Sequence, residues 1–320
     1  MNEFKKKINN YKVLLDSKLK EIYKEGPASL TQPINYVLSG TGKRFRPILT
    51  MIITDMNNIP LENILYPSIS IEMLHNFTLI HDDIMDKDII RHGKETVHKK
   101  WNENTAILSG DAMLAISLQM LMKNKLSDNN HLLETYINGL LSVCEGQALD
   151  IEFENRSSIN IDEYKNMIYL KTAYMIGLSA EVGGILSNLD KREILLLKEF
   201  GDSIGMAYQV QDDLLELFSD SDIMCKSLES DFELKKKTFL WASIDLNHRL
   251  EFENLIDEFT QNKEQSIKKI KNFIINQGVK EKADSFIAKK INHANNLLNK
   301  FDGDSDFLHY YSNLIFNRGH

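Results

Sequence analysis

Every proline of this chain falls within its first 67 residues: Pro27, Pro33, Pro47, Pro60 and Pro67. From residue 68 to residue 320 there is none. Glycine, at 15 in 320 residues, is also too sparse to punctuate a sandwich of many short strands. A long stretch without the strongest helix breaker leaves room for long helices, and the apolar residues keep helical spacing in it. Met73, Phe77, Ile80 and Ile84 recur every three or four positions, and Leu197 and Phe200 do so further on. The breaks are short polar clusters, Lys123 to Asn130 and Ser157 to Asp162. From Glu251 onward, Lys, Glu, Asp and Asn alternate with isolated Ile, Leu and Phe, the pattern of amphipathic helices. No linker rich in Pro, Gly or Ser divides the chain, so the expectation is all-α: one large single-domain helical bundle over 1–320.

Charge then narrows the partners. With 38 basic and 46 acidic residues the net charge is −8. A broad basic face for nucleic acid is not expected, and any phosphate recognition must be local. Cys144 and Cys225 stand far apart with no C-x-x-C partner, and both read as inert packed thiols in a reducing compartment. The apolar stretch from Met167 to Leu186 is interrupted by Lys171 and Glu181, so no transmembrane segment is expected. The N-terminus lacks an apolar signal region, and the expected location is cytoplasmic.

Two acidic segments share a rhythm. In the first, His75, Leu79, Asp82 and Asp86 are spaced four, three and four, with Asp83 and Asp88 alongside. In the second, Gly205, Gln209, Asp212 and Glu216 repeat that spacing, with Asp213 between. Such spacing puts Asp82 and Asp86 on one helical face, where like charges one turn apart repel and where aspartate is a poor helix former. A hard divalent cation such as Mg²⁺ turns that repulsion into ligation and bridges to phosphate oxygens. One acidic cluster is more often a solvated face; two of one pattern on apolar helices favour paired metal-binding helices facing across a bundle.

Basic residues stand beside both stripes. Gly42-Lys43-Arg44-Phe45-Arg46-Pro47 places three cations at a loop-to-helix junction, where free backbone N–H groups also favour anions. Arg91-His92-Gly93-Lys94 follows the first stripe, Lys171-Thr172 interrupts an apolar helix, and Lys226 and Lys236 follow the second stripe. Acidic clusters for metal next to cationic loops point to two anionic groups, one held through metal and one by ion pairs.

On these residues the chain resembles the polyprenyl synthases, the trans-isoprenyl diphosphate synthase family. Asp82-Asp83-Ile84-Met85-Asp86 is similar to the first aspartate-rich motif, and Asp212-Asp213-Leu214-Leu215-Glu216 stands at the second. The Gly42–Pro47 segment, Gly110-Asp111, Gly146-Gln147 with Asp150, Lys171-Thr172 and Tyr208-Gln209 follow in family order. The resemblance implies an all-α, isoprenoid synthase-like bundle around a central cavity, usually a homodimer. It implies the joining of isopentenyl diphosphate to an allylic diphosphate, with farnesyl to geranylgeranyl products.

By the same resemblance Asp82, Asp86 and Asp212 ligate Mg²⁺ on the allylic diphosphate, with Asp83, Asp213 and Glu216 in the metal motifs. Arg91, Lys171, Thr172, Gln209, Lys226 and Lys236 would assist there. Lys43, Arg46 and His75, with His92 where the family commonly has arginine, would take isopentenyl diphosphate. Phe77, five residues before the first aspartate, and Thr78 would set product length.

Glu216, Cys225, Lys235 and His92 depart from the usual pattern, which leaves a weakly active or regulatory subunit of a heteromeric synthase as an alternative. A terpene cyclase would not need the second diphosphate site. Glu72-Met73-Leu74-His75 and Glu95-Thr96-Val97-His98 have the i, i+3 spacing of di-iron carboxylate bundles, a third reading that leaves Asp82 and Asp83 without a role.

Overall fold

In a computed structural model, which describes residues 2–40, 42–126, 129–218, 236–259 and 263–316, the described part of the proline-free stretch is overwhelmingly helical. The elements are α1 (Asn2–Leu19), α2 (Ala28–Leu38), α3 (Phe45–Met56), α4 (Leu61–Met85), strands β1 (Ile90–Arg91) and β2 (Lys94–Glu95), and a short α5 (Val97–Lys100). Then come α6 (Glu103–Leu121), α7 (Asn129–Glu154), α8 (Ile161–Ile168), a π-helical turn (Tyr169–Ala173), α9 (Tyr174–Leu186) and α10 (Lys191–Phe218). A short α11 (Phe239–Ala242), α12 (Leu246–Phe259), α13 (Lys263–Asn276), α14 (Val279–Leu298) and α15 (Asp306–Phe316) follow among the described residues.

The fold is all-α, and the polar clusters read as breaks lead into α7 and α8, their last two residues already in the following helix. The early prolines start helices more than they stop them. Pro27 and Pro60 are the residues immediately before α2 and α4. Pro47 lies in the first turn of α3, where the missing N–H would have had no intrahelical partner. Only Pro33 and Pro67 sit further inside helices. Helix α8 begins at a reciprocal cap: the Asn160 side chain accepts the Glu163 N–H, and the Glu163 carboxylate accepts the Asn160 N–H.

The helices cluster into two compact units. One comprises Met1–Leu141, Ile176–Gly201 and Leu297–Leu314; the other comprises Ser142–Met175, Asp202–Asn296 and Ile315–His320. In the first, α4 is buried along most of its length, with Ile69, Ile71, Met73, Leu74 and Ile80 in the core between α3 and α6. Two polar ties cross this core: the Thr50 hydroxyl donates to the Ser179 carbonyl at 2.7 Å, and Tyr136 and Ser70 bond at 2.7–2.8 Å. In the second unit, Tyr164, Met167, Val210, Phe239, Trp241 and Phe252 belong to one apolar cluster. Cys144 is exposed on α7, contrary to the packed thiol expected from the sequence; it shares an outward helix face with Leu141 and Ala148. Cys225 lies outside the described residues.

Candidate active site

The first carboxylate stripe occupies the C-terminal end of α4. The Asp86 N–H bonds the Asp82 carbonyl at 2.8 Å, which sets the two side chains one turn apart on the helix. The Lys87 N–H then bonds the Ile84 carbonyl and the Asp88 N–H the Asp83 carbonyl, with Lys87 itself in the left-handed region at φ 56°. This is a Schellman motif, usually built on glycine, and it turns the chain sharply after the aspartates.

A hairpin follows, paired Ile90 to Glu95 and Arg91 to Lys94. His92 and Gly93 have φ of 50° and 76°, the positive pair that a two-residue type I′ turn requires. The hairpin brings Arg91 back to the helix end, where its guanidinium donates to the Asp83 carboxylate and, at 3.1 Å, to Asp88. Burial pushes the Asp83 carboxyl up to about 7, against the pull of Arg91. Asp83 is therefore engaged with Arg91, while Asp82 and Asp86 take other directions around the helix. His92 is held below the ordinary histidine range by burial and by the neighbouring cations Arg91, Arg44 and Lys43, so it is neutral at pH 7.

The three cations at the start of α3 divide in the same way. Arg44 is buried, and its guanidinium donates to Asp16 at 2.8 Å, to Glu72 at 2.7 Å and to the carbonyls of Leu38 and Gly40. It pins the loop to α1 and α4 and is spent structurally. That pairing also engages Glu72, one of the carboxylates of the di-iron reading. Lys43 is exposed, and Arg46 reaches His75 on α4, Nη1 to Nε2, at 3.2 Å. Arginine only donates, so Nε2 accepts and the imidazole is the neutral Nδ1–H tautomer. Burial and then Arg46 depress the His75 pKa in agreement with that assignment. Half a turn on, Phe77 is buried with its ring edge-on to His81 at 4.8 Å between centroids. The Thr78 hydroxyl is bonded back to the His75 carbonyl at 2.8 Å.

In the second unit the π-helical turn presents Lys171 and Thr172. Glycines flank it on both sides: a Cβ on Gly146 of α7 would lie 2.2 Å from the Lys171 nitrogen, and one on Gly205 of α10 would lie 2.5 Å from the Ala173 Cα. Both helices press directly on the backbone of the turn, which any larger residue would displace. The Lys171 ammonium donates to Asp150. The Thr172 hydroxyl donates to Gln209 Oε1 at 3.0 Å, and Gln209 Nε2 donates to Asp213 at 3.0 Å.

Asp213 in turn accepts the Tyr164 hydroxyl at 2.6 Å and the Phe239 N–H at 2.7 Å. Tyr164 keeps its proton because burial, with Asp213 next, pushes its pKa far up. Asp213 thus ties α8, α10 and the start of α11 together. Asp212 and Glu216 are half-buried, one turn apart on α10. Glu216 and Lys236 line a cavity of about 380 Å³ with Trp241 and Phe252; Asp212, Lys171 and Gln209 are not among its lining residues. Lys226 lies outside the described residues.

Among the described residues no three His, Cys, Asp or Glu side chains converge on one point to enclose a cation. The stripes offer pairs, Asp82 with Asp86 and Asp212 with Glu216. Mg²⁺ is commonly held by one or two carboxylates and completed by water and substrate phosphate, so paired oxygen donors of this kind fit it.

The family model for polyprenyl synthetase matches residues 27–276. The chain belongs to the polyprenyl synthetase family. It is 33% identical over 235 residues to a short chain isoprenyl diphosphate synthase of Methanothermobacter thermautotrophicus, an overlap of 73% of this chain and 72% of that one. It is 36% identical over 227 residues to a Methanocaldococcus jannaschii protein of the same description, covering 71% and 69% of the two chains. The solved geranylgeranyl pyrophosphate synthetase of Pyrococcus horikoshii superposes with a TM-score of 0.90 at 30% identity, over 99% of both chains. Spacing and the resemblance set Asp82 and Asp212 apart as ligands and kept Asp83 and Asp213 in the metal motifs; that Asp83 holds Arg91 and Asp213 holds Gln209, the hairpin, and the glycine-clamped turn lay beyond sequence reasoning.

Proposed function

We infer that this chain is a prenyltransferase that condenses isopentenyl diphosphate with an allylic diphosphate to give a short-chain polyprenyl diphosphate. The observation that carries the reading is the clamped turn: an ammonium oriented by Asp150 and a hydroxyl oriented by Gln209, presented side by side within a family match over residues 27–276. Lys171 and Thr172 meet the allylic diphosphate as its C–O bond ionises and the electron pair passes to the leaving oxygen. Asp82, Asp86 and Asp212 are the carboxylates assigned to Mg²⁺, with Glu216 beside Asp212. The ion, when bound, supplies countercharge to the departing diphosphate. Asp83 and Asp213 act one step back, holding Arg91 and Gln209 in place.

Lys43 and Arg46 bind isopentenyl diphosphate, and neutral His75 orients Arg46. The alkene then adds to the allylic cation, and the proton lost from the adduct passes to released diphosphate. The apolar helix cores exclude water that would quench the cation. Helices α7 and α10 run without interruption past residues 141/142 and 201/202, which supports a single prenyltransferase domain over 1–320. No described helix is long and apolar enough to cross a membrane, and we assign the reaction to the cytoplasm.

The test is incubation with isopentenyl diphosphate, Mg²⁺ and each of dimethylallyl, geranyl and farnesyl diphosphate, followed by chromatography of the dephosphorylated products. Elongation to farnesyl or geranylgeranyl products is expected, and no elongation with any primer would overturn the assignment. In the same assay Phe77→Ala is expected to shift the main product by at least one isoprene unit, because removing a buried ring opens space that a growing chain can fill. An unchanged product distribution would remove Phe77 from the length-setting role.

A homodimer is part of this reading. Ile137, Leu141, Cys144, Ala148 and Ile151 recur on α7 at four, three, four and three, and all five are exposed. Such an apolar seam is the spacing by which helices pair. Sedimentation is expected to give twice the 36.9 kDa chain mass, and Leu141→Glu is expected to yield monomers.

A further inference from the structure

The Gly146-Gln147 pair drew attention in the sequence without acquiring a task for its second residue. Gln147 is only 5% exposed on α7, yet among the described residues neither its Oε1 nor its Nε2 has a hydrogen-bond partner. Leaving a buried donor and a buried acceptor unmade costs roughly 1–3 kcal/mol each, and native chains rarely retain such an amide without a use. Its place is specific. Gln147 stands one helical turn before Asp150, at i and i+3, and Asp150 holds the Lys171 ammonium. The preceding residue, Gly146, is where α7 presses on the backbone of Leu170 and Lys171. The unpaired amide therefore lies on α7 between the two residues, Gly146 and Asp150, that meet the π-helical turn at Lys171.

We propose that Gln147 is a catalytic residue whose amide contacts the ionising allylic C–O bond. This rests on the prenyltransferase reading and adds a group to it. As that bond breaks, its electron pair moves to the diphosphate oxygen, leaving a developing cation and a developing oxyanion close together. An amide offers a partner to each, the carbonyl oxygen to the cation and the N–H to the oxygen. It forms no bond to carbon, whereas a carboxylate or thiol in the same place could be alkylated by the cation. Among the described residues nothing takes up either atom, so the contacts are made when the reacting bond is present, and they strengthen as charge develops.

The test compares Gln147→Leu and Gln147→Met with the parent chain for kcat, both KM values and Tm. Removing the amide is expected to lower kcat roughly 100-fold, the scale of losing one charge-stabilising contact in a transition state. Both KM values are expected to stay unchanged, and Tm to rise because an unpaired polar group has left the interior. A purely structural amide would behave in the opposite sense, with Tm falling in both variants. That fall, or an unchanged kcat, would overturn the proposal. Elongation by the parent chain in the same assay tests the prenyltransferase reading separately.

Discussion

Asp82→Asn is expected to lower kcat about 1,000-fold while leaving Tm where it is, since a catalytic electrostatic contact can be worth 10²–10³ in rate. Two properties of the α4 terminus lead to this. Asp82 and Asp86 are one turn apart at a helix end, where the carbonyl ends of the helix dipole add to the repulsion between like charges. Substituting one of them relieves that repulsion, and this gain offsets the loss of the contacts its own carboxylate makes.

What is lost is an anionic oxygen in the set assigned to Mg²⁺, and asparagine keeps the shape while removing the charge. The neighbouring change, Asp83→Asn, is expected to act differently. It takes from Arg91 the buried one of its two carboxylate partners, leaving Asp88, so the loss arises from a misplaced hairpin and carries a measurable fall in Tm. Parallel measurement of kcat and Tm for the two variants checks the assignment. Equal Tm losses would place Asp82 in the structural network instead.

The contrast marks how far the sequence could be read. The helical class followed from the position of Pro67, and the carboxylate stripes followed from residue type and spacing, both of which are local properties. What Asp83 and Asp213, the second member of each Asp-Asp pair, hold is not local. Adjacent helical residues point about 100° apart, and their tasks depend on Arg91 arriving from a hairpin or on Tyr164 from another helix. The hairpin has two residues per strand, too short for any alternation to register; only His92-Gly93 announces it, as a turn that needs positive φ. By residue type Arg44 is one of three cations, and the resemblance left it without a task; the task it has depends on Glu72, 28 residues away. Gly146 and Gly205 were visible as letters of motifs, but the contact that requires glycine is with a backbone turn that the sequence does not place.

Asp213→Ala should produce the largest loss of stability in the chain's second unit. Three donors meet its carboxylate: the Tyr164 hydroxyl, the Phe239 N–H and Gln209 Nε2. Two of these groups are buried, and each left without an acceptor costs roughly 1–3 kcal/mol, so the variant should be destabilised by about 3–4 kcal/mol. For a chain of 320 residues, whose unfolding entropy is about 2.1 cal/mol/K per residue, that lowers Tm by roughly 4–6 °C.

Activity should fall too, through a definite path. Gln209 loses the acceptor that fixes its amide, the amide is free to turn, and the Thr172 hydroxyl loses a fixed partner. Asp213→Asn separates the two effects. Its Oδ1 can still accept from Tyr164 or Phe239, so much of the stability returns, but its NH₂ cannot accept from Gln209. The Asn variant should therefore regain Tm more fully than kcat. If instead kcat falls as in a ligand variant while Tm is unchanged, Asp213 belongs with Asp212 among the metal-binding carboxylates, and the outward side of α10 is wider than its hydrogen bonds indicate.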